Sequence, residues 1–578
     1  MSIAMGHYIV DLLAPKSNAS DLSAGIMYRI AAILSSFLLF FSVSIAANEP
    51  ADLHIKNGKI IDGSGNPWFF GDVVVHGDRV TQIGKNLIVD AKQTIDAKGL
   101  VVAPGFIDIH SHSDTKLIQD GHAQSKIRQG VTTEILGEGT SGGPNVGNKP
   151  PARLTVNGSV LQWKTLGDYF NVLEKSGMAT NVASYVGIGN IWESVMGKTY
   201  ARPSEDQLKE MEQLIAQAME DGALGLSSQV MFPPGSLATT DDLVRFCKVI
   251  KPHGGIYSSH IRNEGLGVFD AIREAIKVGE DAGVPVDIIH IKIADQQFWG
   301  RMNEVVALIE SARTRGVNVQ ANVYPYTRGN NNLVSIIPPW AHEGGKAEMI
   351  RRLKTSADRN QIKHDIENGI DGWYNHYTAV GRDWSRMLVA AENQYRGMTM
   401  DRVLSILADG DEDADKVDLM IDFLIDQGGS VATVFAHHTD RDMTLALKQP
   451  WCSVGSDGSA YAIEGPLRKG NPHPRNFGTF PRLLGRYVRE EQVITLEDAV
   501  RKITSLNAAK VGLKHRGMIR EGNYADITIF DEETVIDTAL FTDPFHYPVG
   551  IEYVIVNGTL VLKRGKHLGT MPGRVLRK

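Results

Sequence analysis

The stretch PGFIDIHSHSD, residues 104–114, joins a short apolar run to two histidines, His110 and His112. Side chains two residues apart on a β-strand point to the same face, so the two imidazoles would lie together at the end of a buried strand. Neutral imidazole is a common nitrogen ligand of Zn²⁺ and related ions. The stretch therefore predicts a buried strand that ends in one half of a metal site.

The middle of the chain repeats this pattern of apolar runs, and amphipathic helical stretches separate one run from the next. The eight predicted strands lie in residues 101–112, 130–137, 181–189, 223–230, 254–261, 285–292, 318–326 and 451–458. One intervening stretch, 203–222, opens with Ser204 followed by two acidic residues, which is typical of a helix start. Eight strands that alternate with helices predict an α/β fold, a (β/α)₈ TIM-type barrel over residues 102–510.

Both ends of the chain have a different pattern from the middle. Residues 52–101 alternate apolar and polar residues between Asn-Gly, Asp-Gly and Gly-Asp turns, and residues 511–566 repeat this style. We expect a small β-sandwich domain formed by both termini, with the barrel inserted into it. Residues 327–450, before the last barrel strand, are too long for a simple loop, and they predict an inserted subdomain beside the barrel mouth.

The bulk composition is that of an ordinary globular protein. The chain has 578 residues, of which 42% are hydrophobic and 22% charged. Its net charge is −7 with no extended basic run, which makes nucleic acid a poor partner. Two cysteines, Cys247 and Cys452, form no Cys-x-x-Cys motif. Two buried thiols are favoured over a single disulfide, which the sequence leaves open.

Residues 27–47 (MYRIAAILSSFLLFFSVSIAA) have the features of an export signal. Arg29 supplies the positive charge, an apolar core follows, and small residues near Ala47 suit cleavage. An uncleaved membrane anchor is the alternative, although the apolar core is short for a span of about 20 residues. We therefore expect residues 1–47 to be an export segment, with Met27 as an alternative start. The mature protein is expected to be periplasmic or secreted, without a stable membrane partner.

Further candidate ligands stand where other strands end. His260 ends the fifth predicted strand, His290 ends the sixth one βα unit later, and Asp457 ends the eighth. A lone histidine at a strand end is more often a structural hydrogen-bonding group, and Ser-Asp-Gly alone is more often a turn. Four histidines at strand ends are hard to explain in that way. Because the first and eighth strands are neighbours in a closed barrel, Asp457 would face His110 and His112.

Several motifs, in this order along the chain, resemble the amidohydrolase superfamily and, within it, the N-acyl-D-amino-acid deacylases (D-aminoacylases). They are HSH after PGFID, GVTTEILG, DGALGLSSQVMFPPG, YSSHIRNEG, GVPVDIIHIK, VYPYTRG, VGSDG and NPHPRNFGTFPR, within residues 52–566. The resemblance implies Zn²⁺, as one or two divalent ions, with His110, His112 and Asp457 in one site. His260 and His290 would serve the other. It also implies a small-molecule N-acyl-amino acid substrate.

The chain departs from this family at two positions. Such deacylases usually carry a cysteine in Gly-Asn-Cys-Gly after the second strand, whereas this chain has Gly-Glu-Gly-Thr with Glu138. A carboxylate suits Zn²⁺ or a pair of bridged ions, so we predict Glu138 as the ligand; a carboxylate that caps the following turn is the alternative. Phe232 stands where the family has a tyrosine, so one hydroxyl contact to the usual substrates is missing.

Three residues are predicted to bind the substrate. Arg475 matches the family arginine that pairs with the substrate carboxylate, a role that suits the two parallel hydrogen bonds of a guanidinium. Lys292 follows a candidate ligand histidine by two residues and would share its strand face, and Tyr324 in VYPY is a further candidate. The adjacent histidines His437 and His438 have no assigned role; core or loop positions are favoured for them.

The function that the resemblance implies is metal-dependent hydrolysis of the amide bond of N-acyl-amino acids, with D-amino acids favoured. Asp457 would act as general base and then as general acid. Hydantoinase-like cyclic amidases, isoaspartyl dipeptidase-like enzymes and D-amino-acid dipeptide hydrolases are alternatives. Hydantoinase-like and isoaspartyl dipeptidase-like enzymes usually use a carboxylated lysine in the barrel. The fourth predicted strand ends in SSQV and has no lysine at this position. An exported metal-binding or solute-binding protein is the rival from another class. The oligomeric state stays open.

Overall fold

Eight parallel strands follow one another around a closed barrel. They are Phe106–Asp108, Val131–Leu136, Asn181–Ser184 continued by Val186–Gly187, Gly225–Gln229, Ile256–His260, Val286–Ile288, Val319–Val323 and Cys452–Val454. Each strand pairs in parallel with a neighbour along the series. A parallel bridge between Ser111 and Gly458 joins the first strand to the eighth. The predicted (β/α)₈ barrel is confirmed.

The structure is a computed structural model that describes residues 49–578. The export signal predicted at residues 27–47 therefore lies outside the described residues. Within residues 49–578, no helix has the length and apolar character that crossing a bilayer requires. Cys247 and Cys452 are both buried and carry free thiols, so these two residues form no disulfide.

The barrel strands are shorter than the apolar runs that predict them. The first strand ends at Asp108, so His110 and His112 lie just beyond it rather than within it. The bridge at Ser111 keeps this part of the chain paired with the eighth strand, and both imidazoles therefore still face the barrel mouth. His290 likewise follows the end of its strand, with a φ of 37°.

Helices connect the barrel strands and cover the outside of the barrel. They are Lys116–Gln119, Gln124–Ile127, Leu166–Ser176, Ile188–Met196, Glu205–Glu220, Thr240–Ile250, Val268–Ala282, Met302–Thr314, Asp440–Leu447, Arg475–Arg482, Leu496–Ile503 and Ser505–Val511, with a π-helix at Leu483–Glu490. The predicted start at Ser204 is confirmed, because its side chain and that of Gln207 each accept the other's backbone N–H, which is a capping box. Apolar side chains of strands and helices form one large buried cluster.

Strands from both ends of the chain form a second β structure. In spatial order they are Lys566–His567, Thr559–Lys563, Ile551–Val556, Ile527–Phe530, Val101–Pro104, Ala51–Ile60, Phe69–His76 and Arg79–Gly84, with Ala91–Asp96 paired to Ala51–Ile60. All nine belong to one hydrogen-bonded sheet, because Val101–Pro104 pairs with Ile527–Phe530 and with Ala51–Ile60. A buried apolar cluster combines side chains from both ends of the chain, including Leu53 and Ile555.

The insertion before the last barrel strand has an apolar cluster of its own, which includes Leu333 and Phe435. Its helices are Lys346–Lys354, Ser356–Asn368, His376–Ala379, Met400–Leu407 and Lys416–Asp426, and its strands are Gly329–Asn332, Met387–Val389 and Ala432–Phe435. The helix Asp440–Leu447 packs with the barrel instead, since Leu447 belongs to the barrel cluster. The core of the insertion thus ends at Phe435, earlier than residue 450.

Two smaller segments complete the barrel. A hairpin of Ala152–Val156 and Ser159–Trp163 leaves the barrel after the second strand. At the carboxyl terminus, Pro572 bridges Met178, and Val575 bridges Val182 of the third strand. The last residues of the chain therefore lie against the barrel rather than extending away from it.

Candidate active site

The first pair of histidines rests on a buried polar network. Asp108 accepts hydrogen bonds from Lys126 Nζ (2.6 Å), from Ser456 Oγ (2.5 Å) and from the Ser456 backbone N–H (2.8 Å). Lys126 Nζ also donates to Ser456 Oγ (2.8 Å) and to the carbonyl of Gly458 (3.1 Å). These bonds fix the end of the first strand against the end of the eighth. They therefore set the positions of the ligands that follow each strand.

Glu138 stands at the centre of the site. It follows the second barrel strand, between Gly137 and Gly139, whose φ values of 88° and 62° turn the chain. A Cβ at Gly139 would lie 2.5 Å from a neighbouring side chain, so this turn requires glycine. The turn presents Glu138 Oε2 to the first pair of histidines, 2.5 Å from Nε2 of His110 and 2.8 Å from Nε2 of His112.

The other oxygen of Glu138 faces the second pair of histidines. Oε1 lies 2.9 Å from Nδ1 of His260 and 3.7 Å from Nε2 of His290, and these two nitrogens are 3.0 Å apart. Two groups of potential ligand atoms result, each with all its atoms within 4.8 Å of one another: His110, His112, Glu138 and Asp457, and Glu138, His260 and His290. Glu138 belongs to both groups and is placed to bridge two ions.

Burial and charge compete within this cluster. Burial raises the pKa of Glu138, but His110 and the other histidines outweigh it and hold that pKa well below its ordinary value. At His110 burial outweighs the nearby carboxylates of Glu138 and Asp457 and lowers the pKa. At His112 burial is outweighed by hydrogen bonds to Asp457 and Glu138, which raise the pKa to about 10. An ionised carboxylate buried among imidazoles is the charge pattern that a divalent cation would balance.

A buried carboxylate that sequence reasoning missed contacts His290. Glu264 Oε1 accepts a hydrogen bond from Lys292 Nζ (2.5 Å) and lies 3.1 Å from His290 Nδ1. A histidine that binds a metal ion through Nε2 carries its proton on Nδ1, and a carboxylate usually accepts that proton's hydrogen bond. Burial raises the pKa of Glu264, but Lys292 outweighs it and holds the pKa well below its ordinary value. The available signal is its place in YSSHIRNEG, four residues after His260.

Asp457 lies between the metal ligands and a buried arginine. Its φ is 49°, and its N–H donates to the carbonyl of His110 (2.9 Å). Oδ1 lies 3.1 Å from Nε2 of His112, and Oδ2 lies 2.8 Å from Nη1 of Arg475. Burial raises the pKa of Asp457, but Arg475 and the histidines outweigh it and lower that pKa. The carboxylate is therefore held ionised, which is the state that a general base needs.

Arg475 and Tyr324 form the wall beside Asp457. Arg475 is buried at the start of its helix, and its guanidinium carbon lies 4.8 Å from the centre of the Tyr324 ring. Its ion pair with Asp457 lacks hydrogen-bond geometry, so Nε and Nη1 of Arg475 have no hydrogen-bond partner among the described residues. A buried guanidinium with N–H groups available is suited to binding a carboxylate.

A cavity of about 340 Å³ opens over these groups. It is lined by ligand residues, by Arg475, and by Asn330 and Asn331 of the insertion. His112 is the most accessible of the four histidines, with 39% of its side-chain surface exposed. The insertion therefore forms one wall of the space in which a substrate would lie.

A second cavity, of about 390 Å³ and mostly apolar in its lining, adjoins the first, and Asn331 lines both. Phe232, which replaces the family tyrosine, lines this second cavity. Its ring stacks on that of His376 in the insertion, with centroids 6.0 Å apart. Phe232 thus contacts the insertion with an apolar face where a tyrosine would offer a hydroxyl.

The structure brings the predicted site residues to one end of the barrel. Among these predicted residues, His112, Glu138, His260, His290, Asp457 and Arg475 line the cavity of about 340 Å³. Lys292 and Tyr324 line a smaller cavity of about 40 Å³ that also borders His290 and Asp457, and His110 lies 2.5 Å from Glu138. Both carboxylate oxygens of Glu138 face histidines, and within residues 49–578 neither accepts a backbone N–H, so nothing favours the turn-capping alternative. Sequence reasoning missed Glu264, Asn330, Asn331 and His376, three of which come from the insertion.

Known proteins resemble the chain over most of its length. The profile of the amidohydrolase family matches residues 93–316 and 452–562. The D-aminoacylase of Alcaligenes xylosoxydans xylosoxydans is 34% identical over 538 residues, which cover 92% of this chain and 99% of that protein. The N-acyl-D-glutamate deacylase of the same organism is 32% identical over 532 residues, covering 92% and 97%. A crystal structure of N-acyl-D-glutamate deacylase from Bordetella bronchiseptica, complexed with zinc and a phosphonate inhibitor, aligns with a TM-score of 0.75 at 29% identity, over 92% of this chain and 100% of that one.

Proposed function

Because the chain belongs to the amidohydrolase family, and within it to the N-acyl-D-amino-acid deacylases, we propose that it hydrolyses N-acyl-D-amino acids to a carboxylate and a free amino acid. It is a hydrolase that acts on carbon–nitrogen bonds other than peptide bonds. The observation that carries the proposal is a carboxylate, Glu138, shared by two groups of ligands beside the buried guanidinium of Arg475.

The residues present fit one or two Zn²⁺ ions. Histidine nitrogens and carboxylate oxygens are ligands that Zn²⁺ prefers, and the similar deacylase structure contains zinc. One ion would be held by His110, His112, Glu138 and Asp457, and the other by Glu138, His260 and His290. When bound, such an ion lowers the pKa of water to near neutrality and polarises the scissile carbonyl.

Side chains of the protein carry out the remaining steps. Arg475, with Tyr324 and Lys292 close by, binds the carboxylate of the substrate and thereby places its amide bond over the ligand groups. Asp457 accepts a proton from the water whose oxygen bonds to the carbonyl carbon. Asp457 then donates this proton to the amide nitrogen as the carbon–nitrogen bond breaks. The products are a carboxylic acid and a free amine.

The alternatives within the superfamily have less support. The fourth barrel strand, Gly225–Gln229, has the sequence GLSSQ. It therefore lacks the lysine that hydantoinase-like and isoaspartyl dipeptidase-like enzymes usually carboxylate. A D-amino-acid dipeptide hydrolase would use the same arginine and the same ligands, so the choice of substrate distinguishes it from a deacylase.

A substrate screen tests the reaction. The full chain, loaded with Zn²⁺, is assayed with N-acetyl-D-amino acids, their L-enantiomers and D-dipeptides. We expect turnover of the N-acetyl-D series. Activity confined to the L series, or to dipeptides, would overturn the proposal, and so would a complete lack of turnover in protein that retains its metal.

Replacement of the general base tests the mechanism. In Asp457→Asn the side chain keeps its size but cannot accept the proton, so we expect turnover to fall by at least about 10²-fold. Thermal unfolding and metal analysis, compared with the unmodified protein, check that the fold and metal content are retained. Turnover near the wild-type rate would show that another group is the base.

We also propose that the protein is exported to the periplasm or secreted. The support is the charged, apolar and small-residue pattern of residues 27–47. Expression of the full chain, followed by fractionation and N-terminal sequencing, tests this proposal. We expect a terminus near residue 48 outside the cytoplasm, and a cytoplasmic protein that begins at Met1 or Met27 would contradict it.

A further inference from the structure

Two adjacent histidines to which the sequence assigns no role lie beside the candidate active site. His437 and His438 follow the insertion strand Ala432–Phe435, and both are buried. Nε2 of His438 lies 2.8 Å from the backbone carbonyl of Tyr326, and Nδ1 of His438 lies 2.9 Å from Nδ1 of His437. These contacts form one chain of hydrogen bonds that ends at the Nε2 atom of His437.

The direction of this chain fixes where each proton lies. A carbonyl oxygen only accepts, so Nε2 of His438 must donate to Tyr326 and carry the proton. In a neutral imidazole the other nitrogen, Nδ1 of His438, is then an acceptor, and Nδ1 of His437 must donate to it. Nε2 of His437 is therefore left without a proton. It is a hydrogen-bond acceptor.

The surroundings keep both rings neutral. Burial lowers the pKa of His438 to about 3 and that of His437 well below its ordinary value, and the nearby positive charge of Lys292 lowers both further. Glu264 acts in the opposite direction without reversing the effect. The acceptor at His437 is thus permanent at neutral pH.

The acceptor faces an internal cavity. His437 lines a cavity of about 40 Å³ that also borders His290, Asp457 and Arg475. Within residues 49–578, Nε2 of His437 has no hydrogen-bond partner. A Cβ at Gly329 would lie 2.6 Å from this nitrogen, so the glycine leaves the space that His437 occupies.

His376 lines the same cavity. The Asn331 side-chain oxygen accepts the Asn332 backbone N–H (2.8 Å), so its amide nitrogen is the group that contacts Nε2 of His376 (3.1 Å). Nε2 of His376 is therefore the acceptor, and its proton is on Nδ1. That Nδ1 is buried without a hydrogen-bond partner among the described residues. The rings of His376 and His437 are 6.2 Å apart between centroids.

We propose that His376 and His437 recognise a carboxamide at the end of the substrate's side chain, which makes N-acyl-D-glutamine or N-acyl-D-asparagine the preferred substrate class. This inference rests on the proposed deacylase function. A carboxamide supplies N–H groups to the acceptor on His437 and a carbonyl oxygen to the donor on His376. A side-chain carboxylate has no donor and would place a lone pair against Nε2 of His437.

The size and charge of the cavity agree with this assignment. A volume of about 40 Å³ has room for only a few atoms, which suits a small polar group at the end of a side chain. The nearby cations are already paired, Lys292 with Glu264 and Arg475 with Asp457. The substrate's own α-carboxylate engages Arg475, so among the residues that line this small cavity no cation is left for a second carboxylate.

Kinetics on matched substrates test the proposal. The Zn²⁺-loaded full chain is assayed with N-acetyl-D-glutamine, N-acetyl-D-glutamate and N-acetyl-D-methionine. We expect kcat/KM for the glutamine substrate to exceed that for glutamate by at least about tenfold, the effect of one buried hydrogen bond. Equal or better hydrolysis of the glutamate or methionine substrate overturns the inference while leaving the deacylase function intact. Hydrolysis of none of the N-acetyl-D substrates refutes both.

Substitutions test whether His437 is the residue that causes the preference for the glutamine substrate. His437→Phe keeps the ring but removes the acceptor, and we expect it to lower the ratio of kcat/KM for the glutamine substrate to kcat/KM for the methionine substrate by at least about tenfold. His437→Gln, which can present an oxygen in its place, should restore part of the preference. His364→Phe, the same change on an exposed histidine of the insertion, is the control. An equal loss of activity on all three substrates in His437→Phe would show that His437 contacts the shared part of the substrate, which contradicts the proposal.

Discussion

One carboxylate determines how many ions this site can hold. Glu138 gives one oxygen to His110 and His112 and the other to His260 and His290. Each ion would therefore receive a negatively charged ligand in addition to two histidines. Because the shared group is a carboxylate with two separate oxygens, both ions can be bound without competing for one ligand atom.

Glu138→Gln tests this dependence. The amide keeps the shape but loses the negative charge, so we expect the content of tightly bound zinc after dialysis to fall below that of the unmodified protein, and turnover to fall with it. Elemental analysis by mass spectrometry measures the change. Glu210→Gln, at an exposed position of the helix Glu205–Glu220, provides a matched control. A zinc content in Glu138→Gln equal to that of the unmodified protein would contradict the bridging role.

At the residue scale, ligands that follow a predicted strand could be predicted from the sequence, whereas hydrogen-bond partners distant in the sequence could not. His110, His260 and His290 could be predicted because each follows an apolar run that reads as a barrel strand. Glu138 could be predicted because it lies one position before the place of the family's cysteine. The donor and acceptor atoms of His376 and His437 could not be predicted, because they depend on the contacts of His376 with Asn331 and of His438 with Tyr326, which join positions distant in the sequence.

At the scale of elements, a buried lysine joins two strands that are far apart in the sequence. Lys126, on the helix Gln124–Ile127, is fully buried and contacts Asp108 at the end of the first strand and Ser456 after the eighth. The bonds therefore hold closed the seam where the barrel's first and last strands meet. Composition and periodicity gave no signal for this contact, since a lysine in a helix usually reads as exposed.

Lys126→Met should destabilise the protein strongly. The substitution leaves Asp108 buried without its cation, so we expect the free energy of unfolding to fall by about 3–5 kcal/mol. Denaturation with urea measures this change. Lys354→Met, at an exposed helical position, should alter the free energy of unfolding by less than about 0.5 kcal/mol. Comparable stability of the two variants would rule out a stabilising role for the buried pair.

At the scale of the whole molecule, the barrel could be predicted more fully than the insertion. Eight apolar runs specify the barrel because alternation with helices leaves few other arrangements. The observed strands are shorter than the apolar runs because hydrogen bonding between strands ends before the apolar run does, as at Asp108. The insertion has its own core, and its position over the site depends on tertiary contacts such as Phe232 with His376, which no local pattern encodes.

Buried neutral histidines make the stability of the molecule sensitive to acid. Burial lowers the pKa of His376 and His438 to about 3, whereas the ordinary value in an unfolded chain is about 6.5. Between these two values the unfolded chain binds more protons, so the free energy of unfolding decreases as the pH falls. We expect a lower urea midpoint at pH 4.5 than at pH 7. His438→Phe should reduce that difference, and equal midpoints at both pH values would disprove the effect.

The single sheet that combines both ends of the chain has a consequence for how the protein folds. The strand Val101–Pro104 pairs with Ile527–Phe530, and Val575 pairs with the third barrel strand. A chain emerging from the ribosome lacks these partners until its last segments have been synthesised. Contacts between such distant segments form slowly, because closing a long loop costs conformational entropy before any contact forms. We therefore expect the pairing between the two ends of the chain to form late, after the complete polypeptide has been synthesised.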